Sequence, residues 1–228
     1  MKALLLFTGH LKGLCQNTNY MNHYIKMCDE VFQDCEKIIV TYENIYGSTK
    51  TTKLNNNAIK KSYSCIQKLK NRFPENKIKV INETFSKNIR DTCYVDRYKQ
   101  MISTILRGFY EATSRKDIVI RMRPDSGIPN INAIQSKKTW KTLLKIPNNT
   151  IVQYGTWKLT RQKIYLNGDN CFAATWETFK NFTTLWHSNF QTHYENQQKN
   201  NISYFEYTMN TVSEFYNFKL YPNPDFLL

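Results

Sequence analysis

Short apolar runs that suit β-strands alternate along this chain with longer stretches of helical spacing. The first run is Ala3–Phe7, and the β-branched run Ile118–Arg121 is typical of a central strand buried on both faces. The most regular helical spacing covers Tyr94–Ser114, where apolar residues form one stripe. This alternation predicts βαβ units and an α/β fold, with a mostly parallel central sheet flanked by helices.

The chain has 228 residues, which suits a single soluble domain. Seven strands are predicted, at 3–7, 37–42, 77–82, 118–121, 151–154, 164–166 and 218–221. Helices are predicted at about 19–32, 58–72, 94–114, 130–146, 175–187 and 203–215. The polar, turn-rich segments 44–56 and 155–163 are predicted to be loops, and 188–201 is predicted to be a polar, mobile segment.

The formal net charge of +14 gives the chain an attractive field for phosphates, polyanions and acidic surfaces. Many of the basic residues fall between Lys50 and Lys79. The pattern favours the solvated face of a helix, and a surface that binds nucleic acid is the more specific alternative.

Cysteine usage indicates a reducing compartment, and we expect a cytoplasmic protein (of the host, for a viral chain). The six cysteines form no CxxC pair and no Cys/His cluster with zinc spacing, so free and mostly buried thiols are expected. The run Ala3–Phe7 ends without a cleavage site, which favours a buried strand over a signal peptide. No apolar run approaches the length of a membrane span.

Candidate ligand-binding residues follow the predicted strands, because ligands of open α/β sheets bind at the carboxyl ends of the strands. Thr8 and Gly9 end the first strand, and His10 and Lys12 follow with donor groups. The glycine permits close approach of a ligand to the backbone. A tight turn with exposed side chains is the alternative, and the spacing fits neither a dinucleotide-binding nor a Walker motif.

The segment after the fourth strand carries the most distinctive chemistry. Arg121 and Arg123 are expected to point to the same side of the strand, and guanidinium forks suit a diphosphate. Asp125 follows, where a carboxylate can bind a divalent cation or a sugar hydroxyl. A structural salt bridge among the three is the alternative.

Two further carboxylates follow strands. Glu43 comes after the second strand, where it can hold a ribose or cap a loop. Asp169 lies in the turn after the sixth strand, where it can act as a general base or form a simple Asx turn. His187 and His193 have no metal partner at helical spacing and are predicted to be surface residues.

Taken in order, these segments resemble a family of small glycosyltransferases with a GT-A-like, Rossmann-like nucleotide-sugar-binding fold. Its members synthesise bacterial lipopolysaccharide and capsule, or occur in large DNA viruses that glycosylate their own capsids. The resemblance is carried by residues 5–12 (LLFTGHLK), 98–100 (YKQ), 117–125 (DIVIRMRPD) and 168–173 (GDNCFA), and by Glu206. Residues 44–76 match poorly.

The resemblance implies transfer of a sugar from a UDP- or GDP-linked donor to a hydroxyl of a glycan or glycoprotein. Asp125 stands where such enzymes place the last carboxylate of a metal-binding D-x-D, which implies Mn²⁺ or Mg²⁺; Arg123 stands at the first Asp position, which puts metal dependence in doubt. Either arginine can neutralise the diphosphate instead, and Asp169 is then the candidate catalytic base.

The resemblance also divides the chain into a nucleotide-binding half, 1–127, and an acceptor-binding half, 128–228. The residues implied to line the nucleotide are Thr8, Gly9, His10, Lys12 and Glu43. Trp157 and Trp176 offer rings that can stack on a sugar, although core packing is the favoured role for either.

Two other classes of function remain open. A nucleic-acid-binding module would explain the net charge and the many aromatic residues, and predicts a contiguous basic face with exposed rings. Another nucleotide-dependent α/β transferase, such as a methyltransferase, would share the fold but lacks the expected glycine-rich loop after the first strand.

Overall fold

The computed structural model describes residues 1–9, 18–42, 67, 70–71, 79–83, 94–123, 137–154, 157–160, 163–166, 171–200 and 208–221. Its strands are β1 Lys2–Thr8, β2 Asp34–Tyr42, β3 Lys79–Glu83, β4 Ile118–Met122, β5 Thr150–Tyr154, β6 Trp157–Thr160, β7 Lys163–Leu166, β8 Cys171–Thr175 and β9 Lys219–Tyr221. Its helices are α1 Thr18–Val31, α2 Tyr94–Tyr110, α3 Lys137–Thr142 with the 3₁₀ turn Leu143–Lys145, α4 Trp176–Lys199 and α5 Thr208–Phe215.

Seven of these strands form one sheet in the order β3-β2-β1-β4-β8-β5-β9, and β6 pairs with β7 in a separate antiparallel hairpin. Strands β3, β2, β1 and β4 run parallel to one another. Strand β8 is antiparallel to both β4 and β5, while β5 and β9 are parallel. The predicted α/β class is confirmed. The predicted mostly parallel sheet is only partly right, because an antiparallel strand separates two parallel groups.

The connections reverse direction at the centre of the sheet. From β1 the chain moves outward to β2 and β3, and it then crosses back to place β4 on the other side of β1. The strand order therefore switches between β1 and β4. In open α/β sheets this kind of position leaves a crevice at the carboxyl ends of the two strands.

Helices cover both faces of the sheet, which explains why β1 and β4 are buried on both sides. Alternate residues of β1 face opposite ways, so that Leu5 and Phe7 join the core beneath α1 and α3, while Leu4 and Leu6 join the core beneath α2, α4 and α5. The second core is rich in stacked rings, among them Phe172 and Phe179, whose centroids lie 5.2 Å apart.

A polar cluster closes the amino end of the sheet. The Lys116 ammonium, whose side chain is only 4% exposed, lies 3.2 Å from the Glu36 carboxylate. Glu36 also accepts hydrogen bonds from the Thr113 backbone N–H at 2.8 Å and hydroxyl at 3.1 Å. Asp117 accepts a hydrogen bond from the Lys2 N–H at 2.7 Å and donates its own N–H to the Lys2 carbonyl at 2.9 Å. These bonds fix β1, β2 and β4 at the end opposite the switch point.

Three sequence-based predictions were wrong in the second half of the chain. The predicted loop 155–163 contains β6, and strand β8 was not predicted at all. Helix α4 continues to Lys199 through the segment predicted to be mobile, because Phe190 and Tyr194 extend its buried stripe at helical spacing.

The remaining predicted elements either agree with the structure within a few residues or fall where the structure is not described. The loop at 44–56, all of the predicted helix 58–72 except residues 67, 70 and 71, and the first residues of the predicted helix 130–146 lie outside the described residues. Among the helices that are described, none is long and apolar enough to cross a membrane.

Candidate functional site

Four predicted ligand-binding residues meet at the switch point between β1 and β4. Thr8 is the last residue of β1 and Gly9 follows it, while Arg121 is the penultimate residue of β4 and Arg123 comes directly after that strand. The fold therefore brings these four residues to the crevice where ligands of open α/β sheets bind.

Arg121 is fully buried, with 0% of its surface exposed. Its Nε donates a hydrogen bond to the Thr8 hydroxyl at 2.9 Å, and its Nη2 donates to the Thr8 carbonyl at 3.4 Å. Arg121 is paired with Leu6 in the sheet register, and Thr8 lies two residues further along β1. The guanidinium therefore extends along the strands toward their carboxyl ends.

The Arg121 guanidinium also lies over an aromatic ring. Its central carbon is 5.9 Å from the centroid of Phe172, the residue paired with Arg121 on β8. A ring face in this position attracts a cation, and the effect grows when water is excluded. Burying a guanidinium costs several kcal/mol, which these contacts offset in part. The result is a fixed positive charge in a low-dielectric region, where its attraction for an anion is stronger than in water.

Gly9 continues the site from the end of β1. It is buried, has a φ of 142°, and donates its N–H to the Val40 carbonyl at 3.2 Å. Residues with a side chain rarely adopt this backbone conformation, so a glycine is needed where the chain leaves the strand. The predicted close approach of the backbone is consistent with this geometry.

Sequence reasoning missed two buried polar residues near the same edge. Gln153 of β5 lies level with Arg121, because Phe172 pairs with both, and it is only 1% exposed. Its Nε2 lies 3.9 Å from the Met209 sulfur, and its Oε1 has no hydrogen-bond partner among the described residues. Thr41, near the end of β2, is fully buried, and its hydroxyl likewise has no partner in the described part of the chain. Buried polar atoms are usually satisfied, so both are candidates for ligand contacts.

Cys171 lies beside this site on β8 but is not suited to nucleophilic chemistry. It is fully buried, and burial raises the pKa of its thiol to about 12, against the opposing effect of the Arg121 charge. The thiol therefore stays protonated at neutral pH.

The other predicted site residues, His10, Lys12, Glu43, Asp125 and Asp169, lie outside the described residues. Their roles in nucleotide binding, metal binding and catalysis remain predictions. Within the described ranges, no group of three or more His, Cys, Asp or Glu side chains is placed to hold a metal ion.

The aromatic and histidine predictions had mixed outcomes. Trp176 is half-buried, and its ring centroid lies 4.3 Å from that of Phe109, which favours core packing over sugar stacking. His193 was predicted to be a surface residue, but it is buried, since it lies on the side of α4 that packs against Phe215. His187 is half-buried, with Nε2 at 2.9 Å from the Ser103 hydroxyl.

A cavity of about 480 Å³ lies away from the switch point, beside the turn that precedes β5. Its lining includes Asn149, Lys180 and Tyr216. The described residues that line it include no carboxylate or histidine and thus no acid–base pair. The crevice at β1 and β4, where the buried Arg121 guanidinium is anchored by Thr8, is the better candidate for binding an anionic ligand.

A scan of the sequence against models of known protein families finds no match, and a search of curated proteins finds none either. A functional assignment therefore depends on the residues at the carboxyl ends of β1 and β4 and on the sequence resemblance.

Proposed function

We propose that this chain is a glycosyltransferase that moves a sugar from a UDP- or GDP-linked donor to a hydroxyl of a glycan or glycoprotein. The observation that carries the proposal is the buried Arg121, anchored by Thr8 at the switch point of the sheet, with Arg123 two residues further on. Two arginines at a ligand-binding edge favour a ligand with closely spaced negative charges, and a diphosphate has them.

The chemistry places its main electrostatic demand on the leaving group. Sugar transfer breaks the bond between the sugar and the terminal phosphate, and negative charge develops on the departing nucleoside diphosphate. Arg121 and Arg123 stabilise that charge, and a preorganised cation in a dry site does this without reorganising. Asp125 would hold Mn²⁺ or Mg²⁺ if a metal shares this task, and Asp169 would accept the proton of the acceptor hydroxyl.

Support for sugar transfer over other nucleotide chemistry comes from the resemblance of residues 5–12, 117–125 and 168–173. A different nucleotide-dependent transferase would use the same arginines. The nucleic-acid alternative is favoured by the net charge of +14 and by the many aromatic residues. A binding experiment must therefore compare nucleotide sugars, free nucleotides and nucleic acid.

The test is calorimetric titration of the full chain with UDP, GDP, their sugar conjugates and a single-stranded oligonucleotide. Arg123→Met is the variant to test. Arg123 is half-buried and Arg121 is fully buried, so replacing Arg123 should destabilise the fold less. Arg115→Met is the matched control, since Arg115 is 70% exposed and pairs with Glu177 at 3.1 Å at the amino end of the sheet. A charged hydrogen bond contributes about 1.5–3 kcal/mol, so Arg123→Met should weaken nucleotide-sugar binding about 10- to 100-fold and Arg115→Met should leave it unchanged.

Further arms separate the alternatives. Loss of binding on removal of Mn²⁺, reproduced by Asp125→Asn, would assign the diphosphate to a metal as well as to the arginines. Equal weakening by both arginine variants, or binding of the oligonucleotide alone with a steep dependence on salt, would refute the proposal. Binding of nucleotides without discrimination for their sugar conjugates would point to another transferase.

A further inference from the structure

The cavity of about 480 Å³ beside Asn149 lies at the amino end of the sheet, and we refer to it as the amino-end cavity. Among its lining residues, Asn149 precedes β5, and Asn217 and Phe218 precede β9. Both strands run in the direction of β4, because β8 is antiparallel to β4 and β5 while β9 is parallel to β5. Arg121 lies near the carboxyl end of β4. The amino-end cavity is therefore separate from the crevice.

Three aromatic rings line the amino-end cavity, those of Tyr110, Tyr216 and Phe218. Tyr110 ends α2 and is 61% exposed, and its ring packs edge-to-face with that of Phe109 at a centroid distance of 5.5 Å. The ring of Phe218 packs in the same way with that of Phe182, also at 5.5 Å. These contacts restrict the rings of Tyr110 and Phe218 in the free protein, so that binding of a ligand costs them little further side-chain entropy.

Two amide side chains reach the cavity from turns that are fixed by hydrogen bonds. Asn149 and Asn217 have φ values of 56° and 59°, a left-handed conformation that asparagine adopts more readily than most residues. Asn149 donates its N–H to the Thr178 hydroxyl at 2.9 Å, and Phe218 donates its N–H to the Ser213 carbonyl at 2.8 Å. Both asparagine side chains are exposed. The backbone that carries the two amides is thus in place before a ligand binds.

Helix α4 contributes the remaining polar groups of the cavity. Lys180, Asn181 and Thr184 are exposed, and Leu185 is half-buried; their spacing places all four on one side of the helix. Among the described residues that line the cavity, Lys180 is the one with a charge. The amides and hydroxyls are neutral, and each can donate and accept hydrogen bonds.

We propose that the amino-end cavity is a binding site for a neutral oligosaccharide. A sugar hydroxyl donates and accepts hydrogen bonds, as the three amides do, and the C–H groups of a sugar ring pack against aromatic rings. Most of the lining residues are exposed, so a bound ligand keeps part of its hydration. This suits a ligand with many hydroxyl groups, because burying such groups without hydrogen bonds is costly.

The charge of the cavity argues against a nucleic acid or a nucleotide as the ligand. Bases also stack on aromatic rings, but the phosphates of a single strand need a positively charged groove along the backbone. Lys180 is one cation, whereas the crevice at the other end of the sheet has Arg121 and Arg123. The two sites therefore differ in chemistry, and the oligosaccharide site does not rest on sugar transfer at the crevice.

The experiment titrates the full, isotope-labelled chain with hexasaccharides of glucose, mannose, xylose and N-acetylglucosamine, followed by calorimetry and by NMR of the side-chain amides. We expect at least one of them to bind and to shift the amide signals of Asn149, Asn181 and Asn217. The amide of Asn200 is the internal control, because it is exposed at the end of α4 and does not line the cavity. Its signal should not shift.

Variants test the ring and the amide separately. Tyr110→Ala should weaken oligosaccharide binding about 2- to 10-fold by removing a stacking surface. Asn217→Gly should weaken it about 2- to 10-fold, because it removes the amide while glycine keeps the backbone at positive φ. Asn200→Gly, the matched control, should have no effect. Arg123→Met should also leave oligosaccharide binding unchanged, since Arg123 lies at the crevice.

The native chain alone can overturn the proposal, even if a variant fails to fold. Failure of all four hexasaccharides to bind at millimolar concentration would refute it, as would binding that leaves the three amide signals in place. Displacement of the oligosaccharide by UDP or GDP would place it at the crevice and would refute it too. Tighter binding of a single-stranded oligonucleotide or a proline-rich peptide to the same amides would assign the cavity to that ligand instead. None of these outcomes decides whether the crevice binds a nucleotide sugar, so the two proposals fail separately.

Discussion

Gly108 allows α2 to lie unusually close to the sheet, and we predict that adding a single methyl group there destabilises the protein. A Cβ built on Gly108 would lie 2.9 Å from Cγ2 of Val40 and 3.2 Å from Cδ2 of Leu6. Both neighbours are fully buried branched side chains of the central strands. Either side chain can give way only by displacing its own neighbours, because protein cores are close-packed.

The expected magnitude for Gly108→Ala is the difference between two effects. Alanine is favoured over glycine in a helix by about 1 kcal/mol. Forcing an extra carbon into a packed core costs about 2 kcal/mol, the middle of the usual range. The net expectation is a loss of about 1 kcal/mol, which lowers the melting temperature by about 2–4 °C in a chain of this size.

The assay is urea unfolding followed by circular dichroism for the native chain, Gly108→Ala, Val40→Ala and the double variant. Val40→Ala removes the methyl group that the new Cβ would meet, so Gly108→Ala should stabilise that background by about 1 kcal/mol. The coupling energy in this cycle is then about 2 kcal/mol. Stabilisation by Gly108→Ala in the native background, or a coupling energy near zero, would refute the packing argument.

Three other predictions concern buried polar groups. Burial lowers the pKa of both His187 and His193 in the folded chain, so at a pH between the folded and unfolded pKa values the unfolded chain binds more protons. The free energy of unfolding should therefore fall as the pH drops below about 6.5. Urea midpoints that do not change between neutral and mildly acidic pH would contradict this. Lys116→Met should cost about 3 kcal/mol, the low end for breaking a buried ion pair, because the Glu36 side chain is still 16% exposed. Adding Glu36→Gln should recover part of that loss in thermal unfolding. Trp186→Phe should cost about 2–3 kcal/mol, because it removes the fully buried indole N–H that donates a 2.8 Å hydrogen bond to the Thr208 hydroxyl and because the smaller ring leaves a gap. Calorimetric unfolding measures this loss, and an unchanged melting temperature would contradict the prediction.

The first half of the sheet could be predicted from the sequence because its strands consist of apolar, β-branched runs. The runs at 3–7, 37–42 and 118–121 have no competing helical period, and each is a strand in the structure. Strand β8 gave no such signal. Its sequence CFAAT contains two alanines, which are uncommon in strands, and its burial comes from packing between β4 and β5 that no local pattern reveals.

The candidate site was predictable only in part, for similar reasons. Arg121 could be recognised together with Arg123, because two guanidiniums close together at the end of a strand are costly unless an anion lies near them, and Thr8 because it ends the first strand. The hydrogen bond between them depends on the parallel register of β1 and β4, which the sequence does not state. Gln153 was missed because a single amide in a short strand gives no signal of function in the sequence. Its interest comes from the sheet register, which places it level with Arg121.

From the position of the antiparallel strand β8, we expect the outer part of the sheet to open as one unit. In the sheet order β8 stands between β4 on one side and β5 and β9 on the other, so detachment of β8 from β4 separates all three strands from the parallel group. The same event removes Phe172 from beneath the Arg121 guanidinium. An anion held by Arg121 in the closed sheet would therefore slow hydrogen exchange in β5, β8 and β9, although none of these strands need contact it. Binding of an anion in the crevice and opening of the outer strands would therefore be linked, because both depend on whether β8 stays attached to β4.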